Sequence, residues 1–377
     1  MPWPKVSIMS MRREFVMLAS QEGANRRELC RRYAISPTTA YKWLRRADAD
    51  PQESYADRSR RPLSSPSCTA AAVEAAVLSL RDGHPVWGGR KLRRRLIDLG
   101  HDAVPSASTI TEILRRHHRL DLDAASRHPA CQRFAREVPN ELWQMDFKAQ
   151  FPTDEGDCHA LSVLDDCSRF ALGLEACSDQ RLDTVKGRLT GIFRRYGLPH
   201  AMLADNGPPW GNSDEVDSRY TRLEVWLLQL GIPLHHGRPY HPQTQGKDER
   251  FHRTIEAELV GRRRFASLRE CQQAFQRWRE VYNTERPHEA IGLDTPSRHY
   301  RPSRRGFPES LSPIEYPDRL VRKVQANGRI CFAGRIWPVG KAFASHAVAL
   351  RPTLCDGTYH VFFCQQQVAT IDLGNPP

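Results

Sequence analysis

The chain contains no run of about 18 or more consecutive apolar residues, so no membrane-spanning helix can be read from it. Its first residues, MPWPKVSIMSMRREF, lack the apolar stretch and cleavage site of a secretory signal, and a soluble cytoplasmic protein with no membrane partner is expected. Ten cysteines are scattered with no CxxC pair and no histidine pair at zinc-finger spacing. Neither a disulfide scaffold nor a structural zinc site is indicated, and reduced thiols, mostly buried, are expected. Lysine is scarce, 8 against 48 arginines, a choice that genome base composition alone can explain. What is present suffices for packed cores: 377 residues with 40% hydrophobic and 27% charged content exclude both one small module and a wholly disordered chain.

Charge is unevenly placed, which base composition does not explain. The net charge of +12 divides into +6 over residues 1–62, +4 over 63–137, −6 over 138–260, +5 over 261–309 and +3 over 310–377. Basic flanks attract a polyanion such as DNA, and an acidic centre makes sense if cations neutralise its carboxylates.

The first segment reads as three short helices. Met11 to Ser20 is amphipathic, Asn25 caps a helix running to Tyr33, and Ser36 caps a third that opens on Pro37 and carries Thr38, Thr39, Tyr41, Lys42, Arg45 and Arg46. A short helix, a tight turn and a polar, basic second helix make helix-turn-helix grammar, able to enter a major groove. Asp48 to Pro66 looks like a linker. Thr69 to Arg119 repeats the grammar with the basic helix RKLRRRLIDLG and a third helix starting at Pro105-Ser106. Two basic trihelical units in series favour bipartite DNA recognition, with Arg90 and Lys91 among the contacts. Residues 121–137 form another expected linker.

From Glu141 strands alternate with helices, the pattern of a layered α/β domain. ELWQMDF is a strand, CHALSVLDDCSRFALGLEA two strands with a turn at Asp165 to Arg169, Ser178 to Tyr196 a helix, and Ala201 to Ala204 a short buried strand. A helix over Leu223 to Leu230, the loop RPYHPQTQGK and a helix from about Gly246 to Leu259 follow. Residues 266–283 read as a basic helix, and the last 60 residues as short strands of a small barrel or sandwich.

Within the acidic domain Asp146 ends a strand, Asp205 ends another, and Glu249 lies in the first turn of a helix. Three such carboxylates can converge, and Mg²⁺ takes a few carboxylate oxygens plus substrate phosphate and water. A lone Asp or Glu is usually only solvated, so the constellation carries the signal. Asp165 and Asp166 are expected to pair with Arg169 in a turn, Asp248 to point about 100° away from Glu249, Asn206 to order the turn after Asp205 or contact DNA, and His241 to be a solvated loop residue.

QMDF, LADNGPP and GRPYHPQTQGKDERFHRTIEAEL resemble, in order, the three motif blocks of the retroviral-integrase-like DDE transposases of bacterial insertion sequences. HPVWGGRKLRRRL with PSASTI resembles their second DNA-binding unit, and YNTERPHEAIGLDTPSRHY the block after their catalytic core, so the likeness runs from about residue 10 to 300. The resemblance implies an RNase H-like fold for residues 138–260, and Asp146, Asp205 and Glu249 as a catalytic, metal-binding triad. It implies two Mg²⁺ ions, replaceable by Mn²⁺, with Asp146 bridging both. Partners would be double-stranded DNA, as element ends and target, and further copies of the chain on it, in a bacterial cytoplasm at the nucleoid. Two departures stand out. The 44 positions from Asp205 to Glu249 suggest an inserted loop near Trp210 to Arg222, and Glu256 stands where many relatives carry Lys or Arg. Arg253 and Lys247 are expected to supply that cation to DNA phosphate.

The expected architecture is multidomain: helix-turn-helix units over 1–62 and 63–137, an α/β integrase-type core over 138–260, a helical basic extension over 261–309 and a small β unit over 310–377. The expected activity is Mg²⁺-dependent DNA strand cleavage and transfer. Alternatives are a metal-dependent nuclease without strand transfer, an inactive transposase-derived DNA-binding regulator, and a two-carboxylate glycosidase, which leaves the helix-turn-helix units unexplained.

Overall fold

The computed structural model describes residues 7–49, 55–57, 69–120, 136–207, 209–211, 220–237, 246–311, 313–317 and 320–375. The chain divides into two compact units, Met1–Cys68 and Thr69–Pro377. In the first, α1 (Ile8–Ala19), α2 (Arg26–Arg32) and α3 (Pro37–Ala49) form three short helices. Asn25 and Ser36 cap the second and third, their side-chain oxygens accepting from the amides of Glu28 and Thr39. Phe15, Val16, Ala19, Ala40, Trp43 and Leu44 make the core. On α3 this leaves Thr38, Tyr41, Lys42 and Arg45 outward on one exposed face at helical spacing, whereas Thr39 is partly covered and spends its hydroxyl on Ser36 at 3.0 Å. Most of the linker expected over 48–66 and nearly all of that over 121–137 lie outside the described residues.

The second unit opens with α4 (Ala71–Gly83), α5 (Gly89–Asp98) and α6 (Ala107–Arg116), closed around Val77, Trp87, Leu92, Leu96, Ile110, Ile113 and Leu114. A Cβ at Gly89 would stand 2.4 Å from the Ala107 carbonyl oxygen, so glycine is required where α5 meets α6. Much of the basic face of α5 is engaged within the chain, although Arg90 and Arg93 remain exposed. Arg90 reaches Glu289 (3.0 Å), Arg94 reaches Asp294 (2.5 Å), Arg95 reaches Glu285 (2.5 Å), and Arg298 returns to Asp98 (3.3 Å). Lys91 is half-buried beside Arg286, Glu258 and Glu289, and burial pushes its pKa down to about 8.

The central sheet has the order β3-β2-β1-β4-β5, formed by β1 (Leu142–Thr153), β2 (Gly156–Asp165), β3 (Ala171–Cys177), β4 (Ala201–Ala204) and β5 (Leu234–His236). The first three strands are antiparallel, and β4 and β5 run parallel to β1. One face packs on α7 (Leu182–Tyr196) and α8 (Arg222–Gln229) through Trp143, Met145, Leu161, Val163, Leu189, Phe193 and Trp226. The other packs on α9 (Gly246–Glu258) and α10 (Leu268–Thr284) through Phe151, Ala160, Leu174, Phe251, Phe275 and Trp278. The basic extension thus supplies a layer of this sheet rather than a separate body. A short α11 (Pro296–His299) follows.

Three differences from expectation are local. α7 begins at Leu182 rather than Ser178, because Asp179 accepts from the Arg181 amide and the Thr184 hydroxyl in a turn before the helix. β5 is not read from sequence, being three residues long between Pro233 and Gly237. The C-terminal strands β6 (Val321–Lys323), β9 (Ala347–Pro352), β10 (Thr358–Phe363) and β11 (Gln366–Asp372) form an open antiparallel sheet, with β7 (Arg329–Phe332) and β8 (Arg335–Pro338) as a separate hairpin. This is an antiparallel all-β region, but among the described residues its strand pairing does not close into a barrel. Its core takes in Val225 and Leu228 of α8, so it rests on the central domain.

Candidate active site

β1 carries Asp146 opposite Ser162 of β2 at the centre of the sheet. β4 delivers Asp205 just past its last residue, where the carboxylate accepts from the Gly207 amide (3.1 Å). Asn206 orders this turn, one of the two roles expected of it, by donating to the Gly237 carbonyl after β5 (2.8 Å). His236 of β5 braces it from behind, with Nδ1 2.7 Å from the Asp205 carbonyl and Nε2 3.1 Å from Glu224. That hydrogen bond to Glu224 is the main cause raising the His236 pKa. Glu249 stands exposed in the first turn of α9, the helix crossing β1.

Three elements distant in sequence thus bring their carboxylates into one electrostatic neighbourhood. Burial chiefly, then the charge of Asp205 and less strongly that of Glu249, push the Asp146 carboxyl up to about 7, against a hydrogen bond from the Phe147 amide. Among the described residues no group of three or more His, Cys, Asp or Glu side chains is drawn tightly enough to hold a metal ion as the side chains stand. The donor set nevertheless fits a hard divalent cation: only carboxylate oxygens, whose mutual repulsion a cation would offset.

His252, one turn after Glu249, is a neighbour that sequence reading left without a role. Its Nε2 lies 2.8 Å from the Ser162 hydroxyl, which itself donates to the Asp146 main-chain carbonyl. Burial and the nearby Lys148 push its pKa down to about 4, so the ring is neutral at pH 7. With Nε2–H donating to Ser162, the Nδ1 lone pair faces the Asp146 carboxyl at 3.8 Å. The i, i+3 spacing from Glu249 was the available signal.

The expected roles of the neighbouring charges change. Lys247 does not stand out toward DNA phosphate; its ammonium pairs with the buried Asp166. Glu256 pairs with Lys148 of β1 at 2.7 Å, and Arg253 is exposed on α9. Asp165 and Asp166 occupy the turn after β2 as expected, but not by pairing with Arg169. Asp165 accepts from the Ser168 amide and hydroxyl and from the Asn140 amide, while one Arg169 guanidinium nitrogen is buried without a hydrogen-bond partner. Asp248 points inward, as its helix angle predicts, and burial raises its pKa well above the usual carboxylate range. His241 and residues 212–219 of the expected insertion lie outside the described residues, whereas Trp210 is buried and stacks on Phe147 at 5.4 Å. Of the eight described cysteines all are free and four are buried, with Cys331 and Cys355 exposed. No described helix is long and apolar enough to cross a membrane.

Comparison with known proteins agrees with this architecture segment by segment. Residues 11–62 match a helix-turn-helix domain and 39–114 a homeodomain-like domain. Residues 136–242 and 230–296 match integrase core domains, and 319–376 the C-terminal domain of IS481 family transposases. The chain is 27% identical over 240 residues to an uncharacterized 39.2 kDa protein of insertion element IS476 from Xanthomonas euvesicatoria, covering 62% of this chain and 66% of that one. It is 27% identical over 160 residues to an uncharacterized 31.7 kDa protein of insertion element IS407 from Burkholderia multivorans, covering 42% and 55%. A Gag-Pol polyprotein of baboon endogenous virus is 30% identical over 176 residues, 46% of this chain and 10% of that one. The chain therefore spans less than two thirds of the length of these relatives. Among solved structures, the HTLV-2 integrase catalytic core domain aligns at 14% identity and a TM-score of 0.33, over 44% of this chain and 98% of that one. The likeness is to insertion-sequence transposases of the DDE and retroviral-integrase-core superfamily, with helix-turn-helix domains before an integrase core.

Proposed function

We propose that this chain is a DNA transposase: it binds the terminal inverted repeats of an insertion sequence, cleaves the DNA at the element end and joins the freed 3′ end to target DNA. The observation that supports the reading is the placing of Asp146 on β1, Asp205 just past β4 and Glu249 in the first turn of α9 of an integrase-type core, near enough that the charges of Asp205 and Glu249 help raise the Asp146 carboxyl. Asp146, Asp205 and Glu249 would hold divalent metal, taken as two Mg²⁺ with Mn²⁺ able to replace them. When bound, such ions activate water and then the 3′-hydroxyl, and stabilise attacking and leaving oxygens in line. The chain's own part is positioning. The Gly207 amide orients the Asp205 carboxylate, His252 and Ser162 tie α9 to the Asp146 backbone, and His236 braces the turn under Asp205.

Thr38, Tyr41, Lys42 and Arg45 on the open face of α3 would read or grip the repeat in the major groove, with Thr39 serving the helix cap. Arg253, exposed one turn after Glu249, suits a phosphate contact beside the site. Two element ends must be held together, so at least two copies would act on the DNA.

The test is Mg²⁺-dependent nicking and joining of labelled DNA carrying the sequences that flank the coding region, comparing wild type with Glu249→Gln. Joining by the wild type, reduced roughly a thousandfold or more in the variant with DNA binding retained, is expected. Cleavage without joining would favour a nuclease, and binding without metal-dependent cleavage in either protein a regulator derived from a transposase.

A further inference from the structure

We propose, resting on the reading of Glu249 as a metal ligand, that Asp166 and Lys247 are positioning residues: their buried ion pair fixes the first turn of α9, and so Glu249, against the strand that carries Asp146. Asp166 lies just after β2, its side chain fully buried, and its Oδ1 receives the Lys247 ammonium. The same oxygen accepts from the Gln144 amide group at 2.6 Å, and Oδ2 accepts from the Arg136 amide at 2.7 Å. The Asp166 amide donates to the Leu142 carbonyl at 3.0 Å, so the acid is stitched to β1 through backbone and side chain alike.

The sequence offsets give this contact its leverage. Gln144 precedes Asp146 by two residues on β1, and Lys247 precedes Glu249 by two on α9. One carboxylate therefore grips both carriers of the outer acids of the triad next to the residues that matter. An apolar contact would let α9 slide or rotate by a fraction of a turn at little cost, whereas a buried ion pair has one acceptable geometry and a steep penalty for leaving it. Asp248, buried, with one carboxyl oxygen lacking a hydrogen-bond partner, and Arg169, with one guanidinium nitrogen likewise unpartnered, lie in the same nest. Two acids and two bases thus meet beneath the start of the helix. Such a nest is a poor source of stability and a good source of register.

The test is Mn²⁺ binding by the full chain, read from the electron paramagnetic resonance signal of the free ion, with thermal unfolding followed in parallel. Lys247→Met is expected to weaken Mn²⁺ binding about tenfold or more, and Lys247→Arg to keep it near the wild-type level. The pair Asp166→Asn with Lys247→Met removes both charges of the ion pair together, so it should regain thermal stability relative to the single variants without regaining Mn²⁺ affinity. A merely structural role would return both together. Should Lys247→Met fail to fold, the double variant carries the same test. Wild-type Mn²⁺ affinity in the folded double variant, while Glu249→Gln loses binding, overturns the positioning role alone. Undiminished binding by Glu249→Gln overturns the metal-site reading and this inference with it.

Discussion

The helices α3 and α5 look alike in sequence and differ in use. Both are short, basic and set in three-helix units, and both read as DNA-facing helices. On α3 the side chains opposite Trp43 and Leu44 are exposed, with Lys42 and Arg45 on that face. On α5 most cations meet the chain's own acids: Arg94 and Arg95 meet Asp294 and Glu285 some 200 residues away, Arg90 meets Glu289 while staying exposed, Lys91 is half-buried, and Arg93 alone of the five stands exposed with no acid beside it among the ion pairs described. A run of arginines states how much positive charge a helix carries, not whether the partner is nucleic acid or the rest of the fold. The two cases separate only when acidic residues distant in sequence are placed in space.

The sharpest way to break this contrast is DNA binding. Replacing Lys42 and Arg45 together by alanine should cost about tenfold or more in affinity for the repeat DNA and flatten the salt dependence by about one counterion per lost contact. Arg94→Ala and Arg95→Ala should leave affinity much closer to wild type; fluorescence anisotropy across a salt series distinguishes the helices, and equal losses from both would erase the distinction. A second, smaller effect is on folding. Arg95→Ala and Glu285→Ala should each lower the unfolding temperature by a few degrees, and the double variant should fall short of their sum by roughly 1 kcal/mol, measured as a double-mutant cycle. Additive losses would mean that the pair does no work in docking α5.

The smallest effect concerns pH. Lys91 has a folded-state pKa of about 8, below its ordinary value of 10.5, so the unfolded chain binds the proton more tightly. Its destabilising contribution is present in full below about pH 8 and is relieved as the pH rises toward 10.5. Lys91→Met should therefore gain stability at pH 7 and lose this rising limb, which chemical denaturation at pH 7, 9 and 10 would show. An unchanged profile would place Lys91 in solvent, and α5 would then resemble α3 after all.

Elements with a strong local pattern were legible in the sequence. The caps Asn25 and Ser36, the strand Ala201–Ala204 and the stripe along α7 all fall where periodicity and turn chemistry put them. β5 was not, because three residues are too few for alternation to show. The carboxylates of the candidate site were legible through motif order, and their placement on β1, β4 and α9 follows from the strands and helix read around them. Their supports were not. Lys247 reads as a cation beside an acid whether it faces DNA or Asp166, and Asp166 reads as a turn residue until its buried partners on β1 and α9 are known. Pairings across 80 or more residues leave no trace in local spacing. Glu256 shows the same limit, since its charge makes sense only beside Lys148 on another element.

The most direct measurement of the central claim is strand joining by Asp146→Cys on labelled end DNA, run in parallel with Mg²⁺ and with Mn²⁺. If Asp146 is a metal ligand, the thiol should fail with the hard, oxygen-seeking Mg²⁺ and recover at least part of the activity with Mn²⁺, which tolerates sulfur better. Wild-type joining by Asp146→Cys in Mg²⁺ would contradict the account, because a group that can be exchanged for sulfur without loss is not holding that ion.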